Sequence, residues 1–343
     1  MAGSTMEMKD GIKDYLTGRL NDYLFDELSE DYLRRSGIDS FMKGVPIPLK
    51  AGDLAKGEAS SIMIARNMAF VLGCDPAFRY RDSYVAYIHH FFSEDFVKPL
   101  MNEGAEKARK NDFETACVFF RAALVLEPDN ADALFLYARA LHDAYENGEG
   151  EEYVGRFKAE SLRAFERLTS LAPDLDAGWY YLGYAYLNMG LYRKASLAFQ
   201  SFIDTTKDAE LRADVTKMQD RLRDPIRIEE GCNDVSSGRF EAGIALLAPY
   251  TQDDRFNQWW PLWYHLGLAC ASIGDQEKAE ACYQKALSFS PSNQEIMKRL
   301  VEVYQFMGRP DLVKKYEEKI RVVRHNAELD REQKRAESGL DVS

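Results

Sequence analysis

The chain has 343 residues, of which 46% are hydrophobic and 29% charged, a composition that can bury a sizeable core and is not typical of disorder. No run of 18 apolar residues occurs, which predicts that no helix spans a membrane. The net charge of −12 argues against nucleic acid as a partner, since an acidic surface repels a phosphate backbone.

Residues 1–96 are predicted to form a helical N-terminal domain. After Ile12, leucines recur at every fourth residue: Leu16, Leu20, Leu24 and Leu28. This spacing predicts one or two amphipathic helices. The stretch 44–48 contains Gly and two Pro residues and is predicted to be an extended connector. Two further helices are predicted over 58–72 and 82–92, and the second is rich in aromatic residues.

Two windows further along the chain follow one template, offset by 84 residues (179 to 263). The first window carries Trp179, Leu182, Gly183, Tyr186, Gly190, Ala195 and Phe199. The second carries Trp263, Leu266, Gly267, Cys270, Gly274, Ala279, Tyr283, Ala286 and Pro291. Glycine inside a first helix admits a close neighbour, and glycine at its end caps it in the left-handed conformation. Such spacing is typical of a 34-residue helix–turn–helix repeat.

On these residues the chain resembles the tetratricopeptide repeat (TPR) family over about residues 97–325. The resemblance implies an all-α fold, a right-handed α-solenoid of TPR helix–turn–helix repeats preceded by the helical N-terminal domain. The units are expected at about 97–130, 131–175, 176–209, 224–257, 260–293 and 294–325. An acidic insertion near 145–158 departs from the family pattern and is either a loop or a helix extension. Residues 326–343 are predicted to be a charged, solvated extension of the last helix.

The resemblance also implies where a partner binds. In this family the concave groove is lined by the first helix of each repeat, at offsets 2, 5, 9 and 12. Those offsets select Phe135, Arg139, His142, Tyr180, Tyr184, Leu187, Tyr264 and Leu268. Such a groove is aromatic and partly apolar, with Arg139 as a charged anchor, and suits a peptide with large apolar side chains. The open alternative is that some of these tyrosines pack against the next helix instead.

No catalytic or cofactor constellation emerges from the sequence. Residues 52–57 have the glycine spacing of a phosphate-binding loop, but Glu58 stands where that motif needs lysine. The five cysteines are an odd number without C-x-x-C spacing, which favours neither disulfides nor a zinc site and fits a reducing cytoplasm. We therefore expect no cofactor, no metal and no catalytic residues.

The leading hypothesis is a cytoplasmic, non-catalytic scaffold or adaptor that binds a peptide or partner protein in the concave TPR groove. One alternative is a dedicated TPR chaperone or regulator of a specific bacterial partner protein. Another is an enzyme whose site lies within residues 1–96. A homo-oligomer, formed through the degenerate end repeats and Trp259 with Trp260, overlaps with the first two. Neither nucleic acid nor a membrane is expected as a partner.

Overall fold

The computed structural model describes residues 10–50, 52, 60–92 and 96–337. Across these residues the chain is mainly helical, and the predicted all-α class of helix–turn–helix repeats is confirmed. Contacts between residues divide the chain into two compact units. They are Met1–Met189 with Leu197–Arg212, and Gly190–Ser196 with Ala213–Ser343.

The N-terminal segment contains helices and a small antiparallel sheet. Its elements are α1 (Lys13–Thr17), a 3₁₀ turn (Gly18–Leu20), β1 (Tyr23–Glu27), α2 (Glu30–Ser36), α3 (Asp39–Met42), β2 (Pro46–Lys50), α4 (Ser61–Cys74) and α5 (Arg81–Phe92). The two strands pair with Leu24 opposite Leu49 and Phe25 opposite Pro48. Helices α4 and α5 correspond to the two predicted over 58–72 and 82–92, although residues 58 and 59 lie outside the described residues.

The helix predicted across Leu24 and Leu28 is wrong, because residues 23–27 form β1. A spacing of four is even, so it places side chains on one face of a strand as well as on one face of a helix. Tyr23 and Phe25, two residues apart, show the strand period: their rings lie 5.6 Å from Phe70 and 6.2 Å from Phe78, respectively. The connector predicted at 44–48 likewise runs into β2, whose prolines are tolerated in an edge strand.

Helices α6 to α18 make up the repeat region. They are α6 (Val97–Arg109), α7 (Phe113–Leu126), α8 (Ala131–Asn147), α9 (Glu151–Leu171), α10 (Asp176–Asn188), α11 (Tyr192–Thr205), α12 (Ala209–Arg221), α13 (Arg223–Ser236), α14 (Phe240–Leu247), α15 (Trp260–Ser272), α16 (Gln276–Phe289), α17 (Gln294–Phe306) and α18 (Pro310–Glu337). Apart from α12, consecutive helices form six pairs, which are numbered repeats 1 to 6 in chain order. Helix α18 extends the last repeat to residue 337, and the rest of the predicted tail lies outside the described residues.

The acidic insertion lengthens helices α8 and α9 of repeat 2 and leaves only residues 148–150 between them. Two aromatic residues of the extended α9, Tyr153 and Phe157, stack with ring centres 4.3 Å apart. Both contact Tyr15 of α1, at 5.2 and 5.7 Å between ring centres. The insertion is therefore a helix extension, and it holds the N-terminal helix against repeat 2.

Close contact between the two helices of a repeat occurs wherever the template places glycine in the first helix. A Cβ atom added at Gly104, Gly183 or Gly267 would lie 2.6, 2.4 or 2.7 Å from the ring of Phe120, Phe199 or Tyr283. Each ring lies sixteen residues after its glycine (104 to 120, 183 to 199, 267 to 283). Distances this short leave no room for a methyl group, so the template glycine is required for helix packing.

We predict that Gly183→Ala lowers the free energy of unfolding by about 1–3 kcal/mol, because the new methyl group overlaps the buried Phe199 ring. The matched control is Gly155→Ala in α9, where no atom lies within 4 Å of the added Cβ. That control should raise stability by at most about 1 kcal/mol through helix propensity. Urea unfolding followed by circular dichroism compares the two, and equal effects would contradict the packing explanation.

Candidate functional site

Tyr181, at the centre of the contact between repeats 2 and 3, was not among the residues selected from the sequence. Its ring lies flat against Phe165, with centres 5.6 Å apart and planes 14° apart. The guanidinium carbon of Arg139 lies 4.3 Å from the centre of the same ring, and Arg139 Nη1 donates a hydrogen bond to the Tyr181 hydroxyl. Tyr181 thus joins the first helices of two consecutive repeats.

The predicted residues of repeat 2 converge on this tyrosine. The Phe135 ring lies 6.0 Å from Tyr181, and the His142 ring lies 6.2 Å from it. Phe135, Arg139 and His142 are each half-buried. They therefore combine one face packed within the protein with one face open to solvent.

Tyr180 and Tyr184 form the corresponding row on α10 in repeat 3. Their rings are 4.9 Å apart. Tyr180 contacts Phe202 at 5.4 Å, and Tyr184 contacts Phe199 at 5.1 Å, so both pack on the second helix of their own repeat. Both tyrosines remain half-buried, as does Leu187 one turn further along α10. The sequence left two alternatives for these tyrosines, packing on a helix or exposure to a partner. In the structure each tyrosine does both, because one side of its ring is packed and the residue stays partly exposed.

Arg139 is engaged by internal contacts. Besides Tyr181, its guanidinium lies 3.7 Å from the carboxylate of Asp143, and the side chain is 34% exposed. His142 Nδ1 lies 3.3 Å from the same carboxylate. The charges at this position are therefore largely compensated within the protein, and the aromatic rings make up most of what a partner meets.

We name this half-buried set the aromatic surface. It consists of Phe135, Arg139, His142, Tyr180, Tyr184 and Leu187, all in the first unit.

An offset-6 position, such as that of Tyr181, reaches back to the offset-5 position of the preceding repeat. The sequence signal that could have identified Tyr181 is the run of three aromatic residues Trp179–Tyr181. The family offsets select only Tyr180 from this run.

The last two predicted residues, Tyr264 and Leu268, lie in the second unit. Tyr264 contacts Tyr283, with 6.0 Å between ring centres, and its interaction with Arg299 raises the pKa of that guanidinium. Arg299 has the offset-6 position of repeat 6, so the offset-5 to offset-6 contact recurs in this unit. Leu268 packs against a cluster that includes Leu262.

Trp259 and Trp260, considered from the sequence as a self-association surface, are half-buried. Trp259 packs against the cluster that contains Leu262, and Trp260 packs against a second cluster that contains Tyr283. Much of each indole is therefore engaged within the second unit, and self-association through these residues stays a prediction.

The described residues contain no group of three or more His, Cys, Asp or Glu side chains placed to hold a metal ion. None of the helices in the described part of the chain has both the length and the apolar character needed to cross a membrane. Of the loop resembling a phosphate-binding motif, all but residue 52 lies outside the described residues.

Paired helices with template glycines define this chain as a helical repeat protein. A family model described as tetratricopeptide repeat matches residues 260–293, which is repeat 5. Repeat 5 is thus a tetratricopeptide repeat, a module of protein–protein interaction, and the resemblance to that family is confirmed. No curated protein matches the chain.

The solved structures that the chain matches include MamA, the TPR domain of P58(IPK) and YrrB. MamA is 19% identical over 72% of this chain and 97% of its own, with a TM-score of 0.26. The TPR domain of P58(IPK) is 12% identical over 91% of this chain and 89% of its own, with a TM-score of 0.43. YrrB, a TPR protein with an unusual peptide-binding site, is 18% identical over 62% and 96%, with a TM-score of 0.31.

We predict that His265 in repeat 5 makes the protein less stable in mild acid. Burial lowers the pKa of its imidazole, and Nδ1 donates to the Pro261 carbonyl at 2.8 Å. Below the ordinary histidine pKa of about 6.5 the unfolded chain therefore binds more protons than the folded one, and stability falls as pH falls.

The test is urea unfolding at about pH 7.5 and about pH 5.5, on either side of that ordinary pKa. His265→Asn, which keeps an N–H donor, should lose less stability than the unmodified protein over this interval. His325→Asn changes an exposed histidine and is the control, whose pH dependence should match the unmodified protein. An unchanged pH dependence in His265→Asn would contradict the prediction.

Proposed function

We propose that this protein is a non-catalytic scaffold or adaptor that binds an extended or helical segment of another protein on the aromatic surface. One observation carries the proposal: half-buried aromatic rings on the first helices of two consecutive repeats are connected through Tyr181, which lies 6.0 Å from Phe135 and 5.3 Å from Tyr180. Tyrosine and arginine are the residue types that contribute most to binding at protein interfaces.

Internal contacts support the proposal because they hold the rings in place before a partner arrives. Phe199 and Phe202 are buried beneath Tyr184 and Tyr180, and Phe165 is buried beneath Tyr181. Fixed side chains lose little conformational entropy on binding, so more of the contact energy is available for affinity.

The chemistry of this surface also favours one type of segment. Arg139 and His142 both lie beside Asp143, so the local charges are balanced. The area that a partner can cover is therefore made up mainly of the aromatic rings of this surface and the Leu187 side chain. A segment with large apolar side chains, spaced to reach two consecutive repeats, buries more area here than a charged one.

The N-terminal segment packs on a different helix of repeat 2 from the helix that carries the aromatic surface. Its Tyr15 contacts Tyr153 and Phe157, which lie on the second helix of that repeat. The aromatic surface uses the first helix of the same repeat.

Site-specific photo-crosslinking tests where the partner binds. A photoreactive phenylalanine analogue replaces Tyr184, on the first helix of repeat 3, or Leu197, a 65% exposed residue on its second helix. Crosslinks to a partner protein, mapped by mass spectrometry, are expected from position 184 and not from position 197. Crosslinks from 197 alone would move the interaction away from the aromatic surface, and none from either would remove its support.

With the crosslinked segment made as a peptide, we expect Tyr184→Leu to weaken binding about tenfold or more, as for an interface hot spot. Leucine keeps an apolar side chain over Phe199, so the unfolding midpoint should change little. The control, Leu197→Ala, should leave the affinity unchanged. A loss of stability that parallels the loss of affinity would instead make Tyr184 a core residue.

A further inference from the structure

A cavity of about 450 Å³ lies in the first unit, where the N-terminal sheet and α4 meet repeat 1. Its wall takes Tyr23 and Lys50 from the two strands, Phe70 from α4 and Phe119 from α7. Small-molecule sites commonly have volumes of roughly 300–1,000 Å³. None of the cavity residues belongs to the aromatic surface on repeats 2 and 3.

Three aromatic rings form one part of the cavity wall. Phe70 stacks on Tyr23, with ring centres 5.6 Å apart and planes 19° apart. Phe70 also makes an edge contact with Phe119, again with 5.6 Å between centres. These mutual contacts fix the rings, and a fixed aromatic wall suits a planar, apolar group of a ligand.

Positive charge predominates among the ionisable residues of the wall. The basic residues are Arg19, Lys50, Arg66 and Lys107, against two acidic residues, Asp22 and Glu103. The chain as a whole has the opposite sign, with a net charge of −12. The cavity therefore gathers cations in a protein that otherwise has an excess of carboxylates, which favours an anionic ligand.

Ion pairs order some of these cations without using all their donors. Arg66 lies 2.7 Å from Glu103, and Lys107 lies 3.5 Å from Asp112. Arg19 forms ion pairs with Glu114 and with Asp112. A guanidinium has five N–H donors and an ammonium three, so donors remain for a ligand. Lys50 makes no ion pair within the described residues, and its ammonium lies 5.8 Å from the centre of the Tyr23 ring. Lys50 is therefore the cation that a ligand engages without displacing a carboxylate.

A buried amide adds one hydrogen-bond acceptor to the wall. Asn67 of α4 is only 7% exposed, and its Nδ2 donates to the Pro48 carbonyl at 3.1 Å. This bond fixes the amide orientation and leaves Oδ1 as an acceptor for an N–H or O–H group.

We propose that this cavity binds a small organic anion that carries an aromatic ring. The ring packs against Tyr23, Phe70 and Phe119. The anionic group meets the ammonium of Lys50, with further donors from Arg19 and Lys107. Nucleotides and aromatic carboxylates share this chemistry, and the probes below distinguish the two.

The test uses the full chain and four probes, in calorimetry and saturation-transfer NMR. AMP and 4-hydroxybenzoate each combine a ring with an anionic group, whereas adenosine provides only the ring and inorganic phosphate only the charge. We expect AMP or 4-hydroxybenzoate to bind at least about tenfold more tightly than adenosine or phosphate, since a hydrogen bond to a charged group contributes about that factor in affinity. Magnetisation transfer to the ring protons should identify the contact.

Lys50→Gln should weaken binding of the ring anion about tenfold, because it removes an ammonium that pairs with no carboxylate of the described residues. Lys43→Gln is the matched control, a lysine that is 74% exposed on the same N-terminal segment but outside the cavity wall. Circular dichroism checks that both variants fold. The proposal is wrong if neither ring anion binds at about 1 mM, if phosphate binds as tightly as AMP, or if Lys50→Gln binds like the control.

Discussion

The contact between the two helices of a repeat is the constraint on which the rest of the structure depends. Gly183 must lack a side chain because the Phe199 ring occupies the space that a Cβ would take, and Gly267 stands in the same relation to Tyr283. With the pair locked at this distance, neighbouring offsets of a first helix point in fixed directions. Residues near the glycine in the same helix then reach the preceding repeat, and this places Tyr181 against Arg139.

That constraint also explains how the aromatic surface is both packed and available. Tyr184 rests on Phe199, the same ring that requires Gly183. The core orders one side of the Tyr184 ring and leaves the other side open to solvent. The same holds for Tyr180, which packs on Phe202. A surface built in this way binds through rings that are already in position, while its few charges are balanced internally by Asp143.

The N-terminal segment is integrated with the first two repeats. Gly73 of α4 approaches repeat 1 so closely that an added Cβ would lie 2.0 Å from the Val118 carbonyl oxygen. Arg121, almost fully buried on α7, makes an ion pair with Asp10, while Tyr15 packs on the extended α9. The cationic cavity forms where the short sheet and α4 meet repeat 1, so the first unit has two different kinds of surface.

The sequence by itself determined the repeat class, because the template spacing encodes local helix packing within a 34-residue helix–turn–helix unit. It also selected Phe135 and Arg139, which contact Tyr181 in the structure, and Tyr180 and Tyr184, which contact each other. Only the tertiary structure decided that β1 replaces a predicted helix, since a four-residue spacing fits both periods and the contacts of Tyr23 and Phe25 decide between them. It alone showed Tyr181 as the link between repeats and gathered Lys50 and Phe119 around one cavity, because residues so distant in sequence leave no periodic signal.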